Sequence, residues 1–123
     1  MKEIIAIIRP KKIGPTKDAL EKLGFPSVTV ASVLGRGKQR GIAGEISCDI
    51  SQEVLLQSNS KRMEYIPKRE LSIVVKDSDV DTIVKTIIDI NQTCQIGDGK
   101  IFICPVDNAV RVRTDEEGEQ AVL

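Results

Sequence analysis

The chain of 123 residues contains no histidine and no tryptophan. Without histidine it lacks the side chain that titrates near neutral pH and the commonest metal ligand. A general base would have to be a carboxylate or a lysine, which argues against an enzyme. Aromatic side chains are reduced to Phe25, Tyr65 and Phe102. That supply gives no aromatic pair on the central strands, the stacking platform an RNA-recognition sheet needs. The 18 basic and 18 acidic residues cancel, so no global field draws the chain to nucleic acid or an anionic membrane. No apolar stretch is long enough to cross a bilayer. Met1-Lys2-Glu3 leads into only a short apolar run before Arg9-Pro10, so no signal peptide is expected. The three cysteines, Cys48, Cys94 and Cys104, are widely spaced and odd in number. They argue against a disulfide framework or a paired-cysteine metal site, and read as reduced thiols in a cytoplasm.

What is present suffices for one domain with an ordinary core. Ile4-Ile-Ala-Ile-Ile8 reads as a buried strand ended by Arg9-Pro10. Pro15 suits a first helical turn, and Thr16, Ala19, Leu20 and Leu23 share one helical face up to Gly24. Residues 27–34, with Val28, Val30 and Val33, suggest a second strand. Residues 68–75 resume as a strand. Asp77-Ser-Asp-Val-Asp81 signals a helix start with capping side chains, and Val80, Ile83, Val84, Ile87 and Ile88 form an apolar stripe. Residues 101–104 make another buried strand, ended by Pro105. Val110 and Val112, alternating with Arg111 and Arg113, suggest a short half-exposed strand, and the acidic 114–123 tail is expected to be mobile.

This order, β-α-β-β-α-β with a long loop between the second and third strands, predicts a ferredoxin-like α+β fold. Both helices should cover one face of an antiparallel sheet. The other face also carries apolar residues, so a closed oligomer is expected. The connection from Gly35 to Pro67 loses all periodicity, and loops of that length in a small domain are usually functional or disordered. A partner-contacting arm and a tolerated insertion are equally consistent with its length.

Two stretches place glycines beside cations: Gly35-Arg-Gly-Lys-Gln-Arg-Gly41 and Ile96-Gly-Asp-Gly-Lys-Ile-Phe102. Glycine lets backbone N–H groups approach an anion closely, and successive N–H groups form a concave nest for phosphate. Lys38, Arg40 and Lys100 supply charge, and Gln39 a neutral amide. Neither stretch has the spacing of a Walker loop, and either alone is more often just a turn. Arg111 and Arg113 read, on their own, as a solvated strand face, and Lys68 as an edge-strand charge.

These pieces together resemble the P-II nitrogen-regulatory signal-transduction family. The resemblance runs over nearly the whole chain: Ala6-Ile-Ile-Arg-Pro10, Gly35-Arg-Gly-Lys-Gln-Arg-Gly41, Tyr65-Ile-Pro-Lys68, Ser72-Ile-Val-Val75, Gln92-Thr-Cys-Gln-Ile-Gly-Asp-Gly-Lys-Ile-Phe102 and Arg111-Val-Arg-Thr114. It implies a single P-II-like domain over 1–123, an extended T-loop over 36–66, a C-terminal tail over 114–123, and a homotrimer with nucleotide clefts between subunits. The implied ATP or ADP site comprises Thr29, Gly37, Lys38, Gln39, Val74, Gly97, Asp98, Gly99, Lys100, Arg111 and Arg113. Thr29 and Val74 would lie near adenine and the rest near phosphate. Gln39 would ligate Mg and, with Arg40, Gly41 and Lys68, hold 2-oxoglutarate.

The long loop, the Phe25-Pro26 turn and the ending Arg-Val-Arg-Thr-Asp-Glu-Glu-Gly-Glu119 resemble the nitrogenase-associated branch, in its longer-looped type. That branch implies a regulator, not an enzyme, working as a homotrimer or with a second P-II-like paralogue. Its implied target is dinitrogenase, gripped through the loop and released by 2-oxoglutarate. Val54, Leu55 and Leu56 are the apolar candidates for that grip. The alternative within the family is a regulator of an ammonium transporter. Two departures stand out. Tyr65 lies at the loop exit, so it does not match the loop tyrosine that enteric members modify. The cations around Gln39 are Lys then Arg, where common members often carry Arg then Lys.

Overall fold

A computed structural model describes residues 1–37 and 65–122. Its elements are β1 (Lys2–Ile8), a 3-10 turn (Pro10–Lys12), α1 (Ile13–Lys22), β2 (Thr29–Gly35), β3 (Ile66–Val75), a 3-10 turn (Asp77–Asp79), α2 (Val80–Asn91), β4 (Gly99–Pro105) and a terminal 3-10 helix (Gly118–Val122). The four strands form one antiparallel sheet in the order β2-β3-β1-β4. The expected α+β order of elements is therefore present among the described residues.

Alternation decides which side chains enter the core. Ile4, Ala6 and Ile8 of β1 share a sheet face with Leu71, Ile73 and Val75 of β3. Leu20 of α1 and Val80, Ile83 and Ile87 of α2 close over them. Each fully buried aliphatic side chain contributes roughly 1.5–3 kcal/mol. The predicted α2 stripe splits by geometry: Val80, Ile83 and Ile87 are buried, whereas Ile88, one position round the helix, is exposed. A polar tie joins the two helices inside this core. Asn91 Nδ2 donates to Thr16 Oγ1 at 3.0 Å and to its own helix at Ile87 O, and the Thr16 hydroxyl donates to Lys12 O. α1 ends where Gly24 adopts φ +94°, allowing Phe25 N–H to reach back to Leu20 O.

The opposite face carries apolar and polar residues together. Register places Glu3, Ile5 and Ile7 beside Val74, Ser72 and Glu70 of β3 and beside Cys104, Phe102 and Lys100 of β4. Ser72 Oγ donates to Glu3 Oε2 at 2.6 Å, while Phe102, opposite Ile5, remains exposed.

Several boundaries differ from the sequence expectation. β3 begins at Ile66, taking in Pro67. The β1 pairing stops at Ile8–Arg69, so Pro67 has β2 alone as a paired neighbour and sits at a strand start, where proline is tolerated. The predicted aspartate cap at α2 is not formed. Asp79 occupies the N-cap without a side-chain bond, and Asp77 instead lies 3.0 Å from the Met1 amino group. That ammonium, hydrogen-bonded to the carboxylate, holds Asp77 below its ordinary pKa. The expected strand through Val110–Val112 is only a single bridge, Val110 to Glu117, followed by a turn. Among the described residues it has no neighbouring strand to extend it. The tail, expected to be mobile, folds back through that bridge, and its last described turn packs beside Val74 and Val75.

Candidate functional site

At the end of the sheet where β1 finishes, β2 ends at Gly35 paired with Ile66 at the start of β3, and α2 hands over to β4. A cleft of about 520 Å³ opens here on the face away from the helices. Gly35 and Gly37 border it where β2 ends, Ile66 and Lys68 where β3 begins, Gly97 on the α2–β4 connection, and Gly99 and Lys100 at the start of β4. Arg36 stacks over the Tyr65 ring at 5.6 Å, which brings loop entry and exit together. A second groove of similar size lies between α2 and β4. It is lined mainly by Ile8, Ile87, Ile88, Ile101 and Ile103, and offers an anion little beyond Lys100.

The glycines play unequal parts. At Gly99, φ is +119° and an added Cβ would stand 2.0 Å from Ile7 O. Gly99 is therefore glycine because the β1 backbone occupies the space of a side chain. At Gly37 an added Cβ meets nothing within 4 Å. Among the described residues nothing demands glycine there.

The 93–99 connection is built around one carboxylate. Asp98 Oδ2 accepts the N–H groups of Thr93 at 2.7 Å and Cys94 at 2.9 Å, and Oδ1 accepts the Thr93 hydroxyl. Arg9, at the end of β1, donates to Asp98 Oδ1 at 2.5 Å, to Ile96 O at 3.0 Å and to Thr93 Oγ1 at 3.4 Å. Partial burial opposes ionisation of Asp98. The hydrogen bonds from the Thr93 hydroxyl and N–H, and then the Arg9 guanidinium, outweigh it and bring the pKa down to about 2. Cys94 sits at φ +64°, a strained conformation for a non-glycine residue, held by its bond to Asp98. On the opposite wall, the largely buried Lys68 donates from Nζ to Gly97 O at 2.7 Å.

Of the sequence candidates, the chain gathers Gly37, Lys68, Gly97, Gly99 and Lys100 on one cleft. Asp98 is adjacent, but its carboxylate is turned to the loop backbone and Arg9. Thr29 and Val74 are elsewhere. They lie on the same sheet face, but Val74 is six residues along β3 from Lys68, roughly 20 Å at strand rise. Arg111 and Arg113 follow Pro105, which pairs with Lys2 at that distant end. Arg111 is engaged by its own tail, with Nη1 3.1 Å from Glu116 Oε2 and Nη2 2.9 Å from Gln120 O. Lys38, Gln39, Arg40, Gly41, Val54, Leu55 and Leu56 lie outside the described residues. Sequence reading missed Arg9 and Thr93. Arg9 was visible as the residue before a strand-ending proline and within the Ala6–Pro10 motif, but not as a partner of Asp98, 89 positions away.

The class this defines is an α+β sheet protein with a lysine-lined cleft where β2 and β3 meet the 36–66 segment. The profile of the family described as nitrogen regulatory protein P-II matches residues 1–116. The chain is 55% identical over 122 residues to the nitrogen fixation nifHD1 region GlnB-like protein 2 of Methanosarcina barkeri, covering 99% of each. It is 47% identical over 119 residues to the nifHD region GlnB-like protein 1 of Methanothermobacter marburgensis, covering 96% of this chain and 99% of that one. Its fold is similar to the crystal structure of Arabidopsis thaliana PII bound to citrate, with a TM-score of 0.74 and 34% identity over 98% of this chain and 88% of that one. The chain belongs to the P-II family of nitrogen regulatory proteins, in the branch of nif-region GlnB-like proteins. Proteins of this family are regulatory signal transducers. Among the described residues, no helix is long and apolar enough to cross a membrane.

Proposed function

We propose that this protein is a cytoplasmic, non-catalytic sensor of ATP or ADP and 2-oxoglutarate that controls dinitrogenase by binding it through the 36–66 loop. The observation that carries this reading is the cleft at the loop's root, with Lys68 and Lys100 on its walls. Polyanions such as ATP and 2-oxoglutarate are matched by ammonium groups and glycine backbone. A ligand held there touches both ends of the loop, so it can favour one loop conformation over another.

The separation of the candidates supports a site shared between copies. Gly37, Lys68, Gly97 and Lys100 lie at one end of the sheet, and Thr29 and Val74 at the other. One chain cannot place both sets on one nucleotide. A ring of three copies, each giving one end to its neighbour's other end, can. The relatives' numbering as proteins 1 and 2 also supports a mixed assembly with a paralogue. Gln39 is the residue proposed to hold Mg against the phosphates, lowering their repulsion of 2-oxoglutarate.

The test is calorimetric. The oligomer should bind Mg-ATP without turnover, and 2-oxoglutarate only when Mg-ATP is present. Lys100→Ala should weaken Mg-ATP about ten- to hundredfold, the loss of one charge-assisted contact, with the fold intact. Unchanged affinity would remove Lys100 from the site. Purified dinitrogenase should be retained by the protein and released by 2-oxoglutarate with Mg-ATP. Retention of an ammonium transporter instead would redirect the target.

A further inference from the structure

We propose that Arg9 is a positioning residue for the phosphate-facing loop: it holds the 93–99 connection in the shape that sets Gly97, Gly99 and Lys100 on the cleft wall. This rests on the reading of the cleft as a nucleotide site. Arg9 and Asp98 do not themselves border the cleft. Arg9 nevertheless reaches three separate points of the connection, at Thr93, Ile96 and Asp98. A planar guanidinium can hold several acceptors in fixed directions, which an ammonium cannot do. The side chains of Arg9 and Asp98 are 12% and 21% exposed, so solvent competes weakly with the pair.

Two strains need this support. Cys94 is held at positive φ, and the carboxylate that fixes it, Asp98, is itself fixed by Arg9. The second strain is electrostatic. Asp98 immediately follows Gly97, so an ionised carboxylate would sit beside bound phosphate. Arg9 pairs with that carboxylate at 2.5 Å, so its charge is offset at the connection itself. The strand β1 thus carries the loop's geometry directly from the core, because Ile8, one residue earlier, is buried in it.

The experiment compares the full-length protein with Arg9→Lys, Arg9→Gln, Asp98→Asn and the Arg9→Gln/Asp98→Asn double variant. Hydrogen exchange at the Thr93 and Cys94 amides is measured without ligand, and Mg-ATP affinity by calorimetry. Arg9→Gln and Asp98→Asn should each speed exchange at both amides and weaken Mg-ATP about tenfold. The double variant should be no worse than either single change, because both break one network. Arg9→Lys, which keeps charge but not the fork, should fall between wild type and Arg9→Gln. It also serves as the informative variant if Arg9→Gln folds poorly.

If Arg9 touched the nucleotide directly, Asp98→Asn would free it and tighten Mg-ATP, which overturns the positioning role. Unchanged exchange in Arg9→Gln, or faster exchange with unchanged Mg-ATP affinity, overturns it as well. Wild-type protein that binds no Mg-ATP overturns the nucleotide reading itself. The variants fail differently, by binding as wild type does.

Discussion

Replacing Gly99 by alanine perturbs one atom, and the structure states what that atom meets. The new Cβ would lie 2.0 Å from Ile7 O and 3.1 Å from Ile7 C, on backbone that cannot rotate away. Ordinary contact begins near 3.4 Å, so β4 and β1 must part by more than 1 Å at this point. The Ile8–Gly99 and Ile7–Lys100 pairs sit there, and losing two backbone hydrogen bonds costs about 1 kcal/mol each. Alanine at positive φ adds roughly 1–2 kcal/mol. The expected destabilisation is therefore at least about 3 kcal/mol.

The control is Gly24→Ala. Gly24 has φ +94° but open space around an added Cβ, so only the backbone strain remains, roughly 1–2 kcal/mol. Urea denaturation at one fixed protein concentration distinguishes the two. With a slope of about 1–3 kcal/mol per molar, the Gly99→Ala midpoint should fall by at least about 1 M, clearly more than for Gly24→Ala. Equal midpoints for the two variants would refute the steric argument and return Gly99 to a purely ligand-facing role.

Asp98 gives a pH prediction. Its carboxyl titrates at about 2 in the fold against 3.8 without it, so the native state binds fewer protons. The stabilisation, on the order of 2 kcal/mol, is complete above about pH 4 and disappears as pH falls through 2. Asp98→Asn should lower stability at neutral pH and flatten the acid dependence in that window, as read by denaturation at stepped pH. Within the core, Thr16→Val removes the acceptor that Asn91 Nδ2 uses, and should cost about 1–2 kcal/mol. Because Asn91 Oδ1 is already buried without a partner, Thr16→Val/Asn91→Leu should be less destabilising than Thr16→Val alone. Thermal unfolding of the two variants tests the order.

Much of the fold was legible in residue order because strand and helix periods leave local marks. The run Ile4-Ile-Ala-Ile-Ile8 and the Val80–Ile87 spacing need no distant partner to be recognised. Val110 to Val112 misled because three alternating residues describe a strand or a turn equally, and among the described residues their pairing is a single bridge to Glu117. The Asp77 cap failed for a similar reason: a charge from the other end of the chain, the Met1 amino group, competes for the carboxylate.

The cation and glycine inventory of the cleft, Gly37, Lys68, Gly97 and Lys100, was set by sequence alone, since charge and backbone freedom belong to residue type. Their convergence was decided by tertiary structure. Antiparallel pairing of β1 with both β3 and β4 brings Lys68 to Gly97, and Arg9 to Asp98 across 89 positions. The same sheet separates Lys68 from Val74 along one rigid strand. Sequence proximity cannot encode either result, because a strand fixes distance along itself and a sheet creates contact across itself.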